Sequence, residues 1–305
     1  MAEAVKMALI NNKGGSTKTT TTVNLAGAYA KRFPRKRVLI VETDGQGNAT
    51  RSFNLDAKKF EYTIYDVFMG NADAKDCVIN VYDNIDLIPA NPDMNYLEFD
   101  VMNEFGNSVA DKSIAEIVSK GFTDSNGNVS IGVEELRSIV KLQATMPDDY
   151  FNMLAGAFDE LEKKYDLIIF DTPPEIKAVS ASVLAVTDEV IIPFEPDAYS
   201  VDGIINILSR IEDVKGSKNP NLRVTGLIAV KVRAQTKIHA DTRLSVMKYC
   251  NREGLHYFDT EIPNSIRFSS ATGYQGMPAT ITQRNNPLVQ SYYKLLDELV
   301  RMEVL

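Results

Sequence analysis

The chain has no tryptophan, two cysteines and two histidines among its 305 residues. Cys77 and Cys250 lie in no CxxC pair and cannot build a disulfide framework. With only His239 and His256 beside them, no structural zinc or iron–sulfur centre is expected. No apolar run approaches the roughly 18 residues that a membrane span needs. The opening MAEAVKMALINN turns polar too soon for a secretory signal. Together these absences point to a reduced, cytoplasmic protein.

The hydrophobic fraction of 44% and charged fraction of 24% are those of a globular protein long enough for one large α/β domain or two ordinary ones. Residues 98–166 carry 14 acidic and 6 basic side chains, which accounts for the whole net charge of −8. Residues 210–267 carry 11 basic and 6 acidic, so global acidity leaves room for a basic face that meets phosphates.

Short apolar runs occur at 5–10, 38–42, 85–89, 166–170, 189–194 and 224–230, with helical patterns between them. Near-continuous apolar strands alternating with helices predict an α/β fold. Its sheet is doubly wound and mostly parallel, with helices on both faces. In such sheets ligands bind at the carboxyl ends of the strands. Residues 103–149 break the rhythm and read as helix, turn, helix. A single domain over 1–305 is expected, with 103–149 as an inserted helical subdomain.

Residues 11–22 read NNKGGSTKTTTT, directly after the first apolar run. The usual phosphate loop, G-x-x-x-x-G-K-[ST], would need glycines where Asn12 and Thr17 stand. A strand, a Gly-Gly turn and a helix start nevertheless form a natural anion site, because backbone N–H groups converge on the positive end of the helix dipole. Lys18 can reach outer phosphates and the Thr19 hydroxyl is placed to ligate Mg²⁺. Gly14 and Gly15 let backbone approach phosphate closely.

KGGSTKTT resembles the deviant Walker A box, K-G-G-x-x-K-[ST], of the ParA/MinD superfamily of P-loop ATPases. The resemblance implies ATP held by Lys13, Gly14, Gly15, Ser16, Thr17, Lys18, Thr19 and Thr20, and a homodimer in which Lys13 reaches the partner's phosphates. Most members have glycine at the position of Thr17, whose backbone is therefore expected at positive φ. VLIVETDGQGNAT (38–50) is similar to the family's D-P-Q-G-N segment, with Gly45 in place of proline, and implies that Asp44 positions the attacking water, with Gln46 and Asn48 in the same loop. YDLIIFDTPPE (165–175) resembles its Walker B strand and implies that Asp171 joins Thr19 in holding Mg²⁺. EIPNSIRFSSATGYQGMPA (261–279) looks like its I-P segment, implying Pro263 as a base contact and Arg267 as a DNA contact. Arg233 stands where relatives carry Asp or Asn near the base.

For non-specific DNA the candidates are Lys231, Arg233, Lys237, Arg243, Lys248, Arg252 and Arg267, with Lys237, Arg243 and Arg267 foremost. The C-terminal SYYKLLDELVRMEVL mixes both signs of charge and reads as a packed helix rather than a membrane anchor. DSNGNVSIGVEE, from Asp124 to Glu135, resembles an EF-hand loop but has Val129 at the glycine position, so a plain turn without calcium is expected. The resemblance thus implies a Mg²⁺-ATP-dependent partition ATPase, nucleoid-associated and released by a ParB-type centromere-binding adaptor. Two alternatives stay open: a MinD-like membrane or cell-pole positioning ATPase, and a nucleotide-locked scaffold with little turnover. A nitrogenase-type electron carrier is excluded by its need for cysteines.

Overall fold

The computed structural model describes residues 3–104 and 152–305, apart from Ser16, Ile176, Ala234 and Gln235. The predicted insertion lies outside the described residues except for its first two positions, and the Asp124–Glu135 segment lies wholly outside them.

Seven strands form one sheet: β1 (Val5–Leu9), β2 (Val38–Glu42), β3 (Ile79–Tyr82), β4 (Ile85–Ile88), β5 (Leu167–Asp171), β6 (Glu189–Phe194) and β7 (Arg223–Ala229). Their order is β3-β4-β2-β5-β1-β6-β7. All pairings are parallel except β3 with β4. β2, β4, β5 and β6 are buried at every position, as strands covered on both faces must be. The six apolar runs of the sequence are six of these strands. β3 was not expected: its INVY is short, sits at the sheet edge and is only half-buried.

The helices of the described residues are α1 (Lys18–Arg32), α2 (Asn48–Ser52), α3 (Ile64–Phe68), α4 (Ala178–Val186), α5 (Ser200–Ser217), α6 (Lys237–Glu253), α7 (Arg267–Gln275), α8 (Ala279–Thr282) and α9 (Gln290–Arg301). Side chains along a strand alternate between faces. Accordingly, Met7 and Leu9 of β1 join the core under α1, α7, α8 and α9. Ala8 and Ile10 join the core under α3, α4, α5 and α6.

Helix α1 starts at the end of the central strand β1, and Pro34 ends it, since the residue before proline is pushed out of helical geometry. Gly27 lets α8 approach: a Cβ there would collide with the Thr280 hydroxyl. Asn24 Oδ1 accepts from Thr280 N–H at 3.2 Å across the same contact. Helix α9 buries Tyr292, Leu295, Leu296 and Leu299, a spacing of three and four that lines one helical face. Lys294 and Arg301 stay exposed, so the packed terminal helix expected from the sequence is present. No described helix is long and apolar enough to cross a membrane.

Leu295→Ala should cost about 3 kcal/mol, the usual cost of a large-to-small change at a fully buried site. Urea unfolding measures it; a loss below about 1 kcal/mol would show that α9 is peripheral to the fold.

Candidate functional site

The site lies where β1, β2 and β5 end. Register places Leu9 beside Asp171 and Glu42 beside Asp171, so three strand ends stand level in the middle of the sheet. The Thr172 hydroxyl donates to Leu9 O at 2.6 Å, and Thr43 donates to Asp171 O at 2.9 Å through both N–H and hydroxyl. These cross-strand bonds hold the three chain ends at one height after the ladder stops.

From Leu9 the chain enters the lysine loop. Asn11 organises it: its side chain donates to Pro193 O and accepts from Lys13 N–H at 2.7 Å. Its carbonyl accepts from Lys18 Nζ at 2.9 Å. Gly15 has φ 73° and Thr17 φ 63°, ψ 22°. The left-handed backbone expected at Thr17 is therefore present in a β-branched residue, where it is strained by about 1–2 kcal/mol. The Thr17 hydroxyl is also buried without a hydrogen-bond partner among the described residues. No side chain caps the start of α1 and no acid lies in its first turn, so nothing of that kind compensates its first N–H groups.

That cavity has a volume of about 530 Å³. Gly14, Gly15, Thr17, Lys18, Thr19 and Thr20 line one side, and Asp44, Gln46 and Asn48 the other. Ser16 lies outside the described residues. Lys18 is 6% exposed and makes no ion pair among the described residues. Burial lowers its pKa, opposed by the charges of Asp171 and Asp44. Asp171 is fully buried, and neither carboxylate oxygen makes a hydrogen bond of ordinary geometry. Burial holds its carboxyl well above the usual range; Thr19 draws it down, neighbouring Glu42 pushes it up, and Lys18 draws it down.

Two orphaned carboxylate oxygens next to a threonine hydroxyl fit a small divalent cation, because Mg²⁺ takes one or two carboxylates and completes its shell with substrate oxygens and water. Among the described residues no cluster of three His, Cys, Asp or Glu side chains could hold a metal without such a substrate. Asp44 stands half-buried at the cavity wall, accepting from Gln46 N–H at 2.9 Å, and Asn48 donates to Gln46 Oε1 at 3.1 Å.

Lys13 goes elsewhere. Its side chain is 51% exposed, pairs with Asp197 and lies 4.0 Å from Glu195, outside the cavity wall. Pro263 lines a second cavity, of about 230 Å³, with Ile262, Phe268 and Tyr292. This space meets the first at Thr17, Thr20 and Lys231. Of the basic candidates, Lys237 and Arg267 are exposed at the first turns of α6 and α7. Arg243 is instead engaged by both oxygens of Glu261 and by His239 O at 3.2 Å, so its charge is largely satisfied within the chain. Arg252 pairs with Glu253 and lies over the Tyr249 ring at 5.2 Å.

Sequence reasoning missed Glu42. It is fully buried and accepts from Ala49 N–H at 2.5 Å, Thr50 N–H at 3.2 Å and Ala90 N–H at 3.4 Å, so it pins the Asp44 loop to the sheet. A charged residue closing the apolar run VLIVE was the available signal. It also missed Asn11, and it placed Lys231 with the DNA candidates rather than at the cavity.

A glycine-bearing loop between a central parallel strand and an uncapped helix, with a buried lysine and a buried acid level with it, defines a phosphate-binding α/β protein of the P-loop class. The chain belongs to the AAA domain family, whose model matches residues 4–122 and 100–224, and to the ParA-type ATPases. A ParA family protein of Mycoplasma pneumoniae is 26% identical to it over 307 residues, covering 97% of each chain. A cobyrinic acid a,c-diamide synthase from Mycobacterium smegmatis, solved with an ATP analogue and magnesium, superposes with a TM-score of 0.70 at 21% identity, covering 98% of this chain and 95% of that one. A plasmid partition protein of Borrelia burgdorferi bound to AMPPNP gives 0.70 at 18% identity, covering 98% and 100%. At these identities the two structures speak for the fold alone.

Two outcomes follow from the loop and its floor. Thr17→Gly should raise stability by about 1 kcal/mol in urea unfolding, by relieving the left-handed strain; destabilisation would show that the Thr17 side chain holds the loop. Glu42, raised from 4.5 to about 7 by burial, binds its proton more tightly folded than unfolded. Its contribution is therefore intact below pH 4.5 and lost as pH rises to about 7, by about 3 kcal/mol. Glu42→Gln should remove that slope from unfolding free energies measured at pH 5 and pH 8, and an unchanged slope would refute the assignment.

Proposed function

We propose that this chain is a Mg²⁺-ATP-dependent partition ATPase that forms a nucleotide-sandwich dimer. It binds DNA without sequence preference in the ATP state and is released when a ParB-type, centromere-bound adaptor stimulates hydrolysis. This drives segregation of a plasmid or chromosome. The observation that carries the reading is the opposed aim of two lysines on one loop. Lys18 is buried in its own cavity, while Lys13, five residues earlier, projects from the outer rim onto Asp197. An inward lysine serves the chain's own nucleotide. An outward one, held only by a half-exposed ion pair, is placed to offset the charge of a second triphosphate at an interface.

In this reading Gly14, Gly15, Ser16, Thr17 and Thr20 offer the phosphates backbone N–H groups and hydroxyls, and Lys18 balances their charge. Thr19 and Asp171 are the residues that would hold Mg²⁺, which when bound neutralises phosphate charge. Asp44 orients the attacking water and accepts its proton, in a loop kept in place by Glu42. Such a site works chiefly by positioning and charge. Pro263 packs on the base. Lys237 and Arg267 meet DNA phosphates, and Arg243 does so only where Glu261 lets go. The protein is cytoplasmic and associates with the nucleoid.

One observation favours a second reading, a nucleotide-locked scaffold with little turnover: Thr17 stiffens the loop where a glycine would let it flex. For the MinD-like alternative the packed α9 offers no membrane-binding face.

Light scattering and retention on plain duplex DNA, each with ADP and with ATP, test the reading. Wild type should dimerise and be retained only with ATP. Lys18→Ala should lose nucleotide binding, and Lys13→Ala should keep it while losing the dimer. Retention indifferent to nucleotide would sink the switch. Phosphate release at background even with DNA and adaptor present would favour the scaffold.

A further inference from the structure

Lys231 stands two residues after β7, between two anchored neighbours. Val230 N–H donates to Phe194 O at 2.8 Å, and Val232 N–H donates to Ile262 O at 3.0 Å. Held on both sides, Lys231 itself takes a left-handed backbone, φ 51°. That conformation is uncommon for a lysine and is imposed here by the two flanking bonds. It aims the side chain over the lysine loop: a Cβ built on Gly15 would lie 3.7 Å from Lys231 Nζ. Lys231 and two threonines, Thr17 and Thr20, are the described residues that line both the phosphate cavity and the apolar cavity containing Pro263.

Its ammonium is partnered by Glu195 at 3.5 Å, a contact with side chains 36% and 24% exposed. Glu195 lies 4.0 Å from Lys13 as well, whose closer partner is Asp197. A half-exposed pair of this kind is held weakly and exchanges readily for a more highly charged partner. A phosphate chain is such a partner, and the cradle beside Gly15 is where it would lie.

We propose that Lys231 is a further nucleotide-binding residue, which takes the base-proximal end of the phosphate chain, with Glu195 as the counter-ion that phosphate displaces. The inference rests on the nucleotide reading given above and adds a third lysine to the two of the loop. Its position between the two cavities assigns it to the part of the nucleotide that ADP and ATP share, and not to the terminal phosphate. Displacement also leaves Glu195 to Lys13, so nucleotide entry strengthens the acidic hold on Lys13 until a partner subunit offers phosphate instead.

Isothermal titration of the full chain with ADP, a non-hydrolysable ATP analogue and adenosine tests this. Lys231→Met should weaken ADP and the ATP analogue equally, by about tenfold, as loss of one charge-assisted hydrogen bond does. It should leave adenosine unchanged and reduce the salt dependence of nucleotide binding. Glu195→Gln should tighten both nucleotides by removing the competitor. Lys231→Met binding ADP as tightly as wild type would overturn the proposal, and so would a loss confined to the ATP analogue. Should Lys231→Met melt far below wild type, Glu195→Gln decides, and an unchanged affinity there is equally fatal. Wild type that binds neither nucleotide would instead fell the nucleotide reading itself.

Discussion

A lysine ammonium buried at the carboxyl edge of a parallel sheet is the constraint around which this molecule is arranged. Lys18 is buried and donates to Asn11 O; burial lowers its pKa, and the charges of Asp171 and Asp44 oppose that shift. Asp171 in turn lies buried, and neither of its oxygens has a hydrogen bond of ordinary geometry among the described residues. A buried lysine and a buried acid are costly to ionise in low dielectric unless further ions complete them. The chain supplies the remaining geometry for such ions: N–H groups that no side chain caps at the start of α1, the Thr19 hydroxyl, and a cavity open to solvent. The level strand ends make this possible, because they set the acid of β5, the carboxylate of β2 and the loop after β1 at one height.

Around that centre the charges are sorted by distance from the sheet. Glu42 is innermost and structural, spent on three backbone N–H groups. Asp44 and Lys18 face the cavity. Lys13, Glu195, Asp197 and Lys231 form an outer ring of half-exposed ion pairs, weak enough to rearrange. Buried members set shape, and outer members are the ones that an arriving phosphate or a second subunit can redirect.

Much of this was legible in the residues. The apolar runs at 38–42, 85–89, 166–170 and 189–194 had to be strands covered on both faces, and they are. The edge strand β3 was not legible, because four half-buried residues at a sheet edge carry no burial signal. KGGSTKT pointed to an anion-binding loop, and the glycine that the resembled family carries at the position of Thr17 pointed to a left-handed backbone there, which this chain adopts with a threonine. Asp171 was visible as an acid after four apolar residues. Arg243 was misleading: charge counting placed it on a free basic face, and Glu261, eighteen residues on, occupies it.

The sequence by itself determined the local chemistry: which buried segments are strands, where the chain turns tightly, and that Lys18, Asp44 and Asp171 stand at strand ends. Those follow from side-chain periodicity and backbone sterics within a few residues. Only the tertiary structure decided the partnerships. Lys13 meets Asp197 from 184 positions away, and Lys231 reaches over Gly15 from the far end of the chain. Such pairings depend on strand order and register, which bring distant termini to one edge of the sheet and which no short stretch of residues encodes.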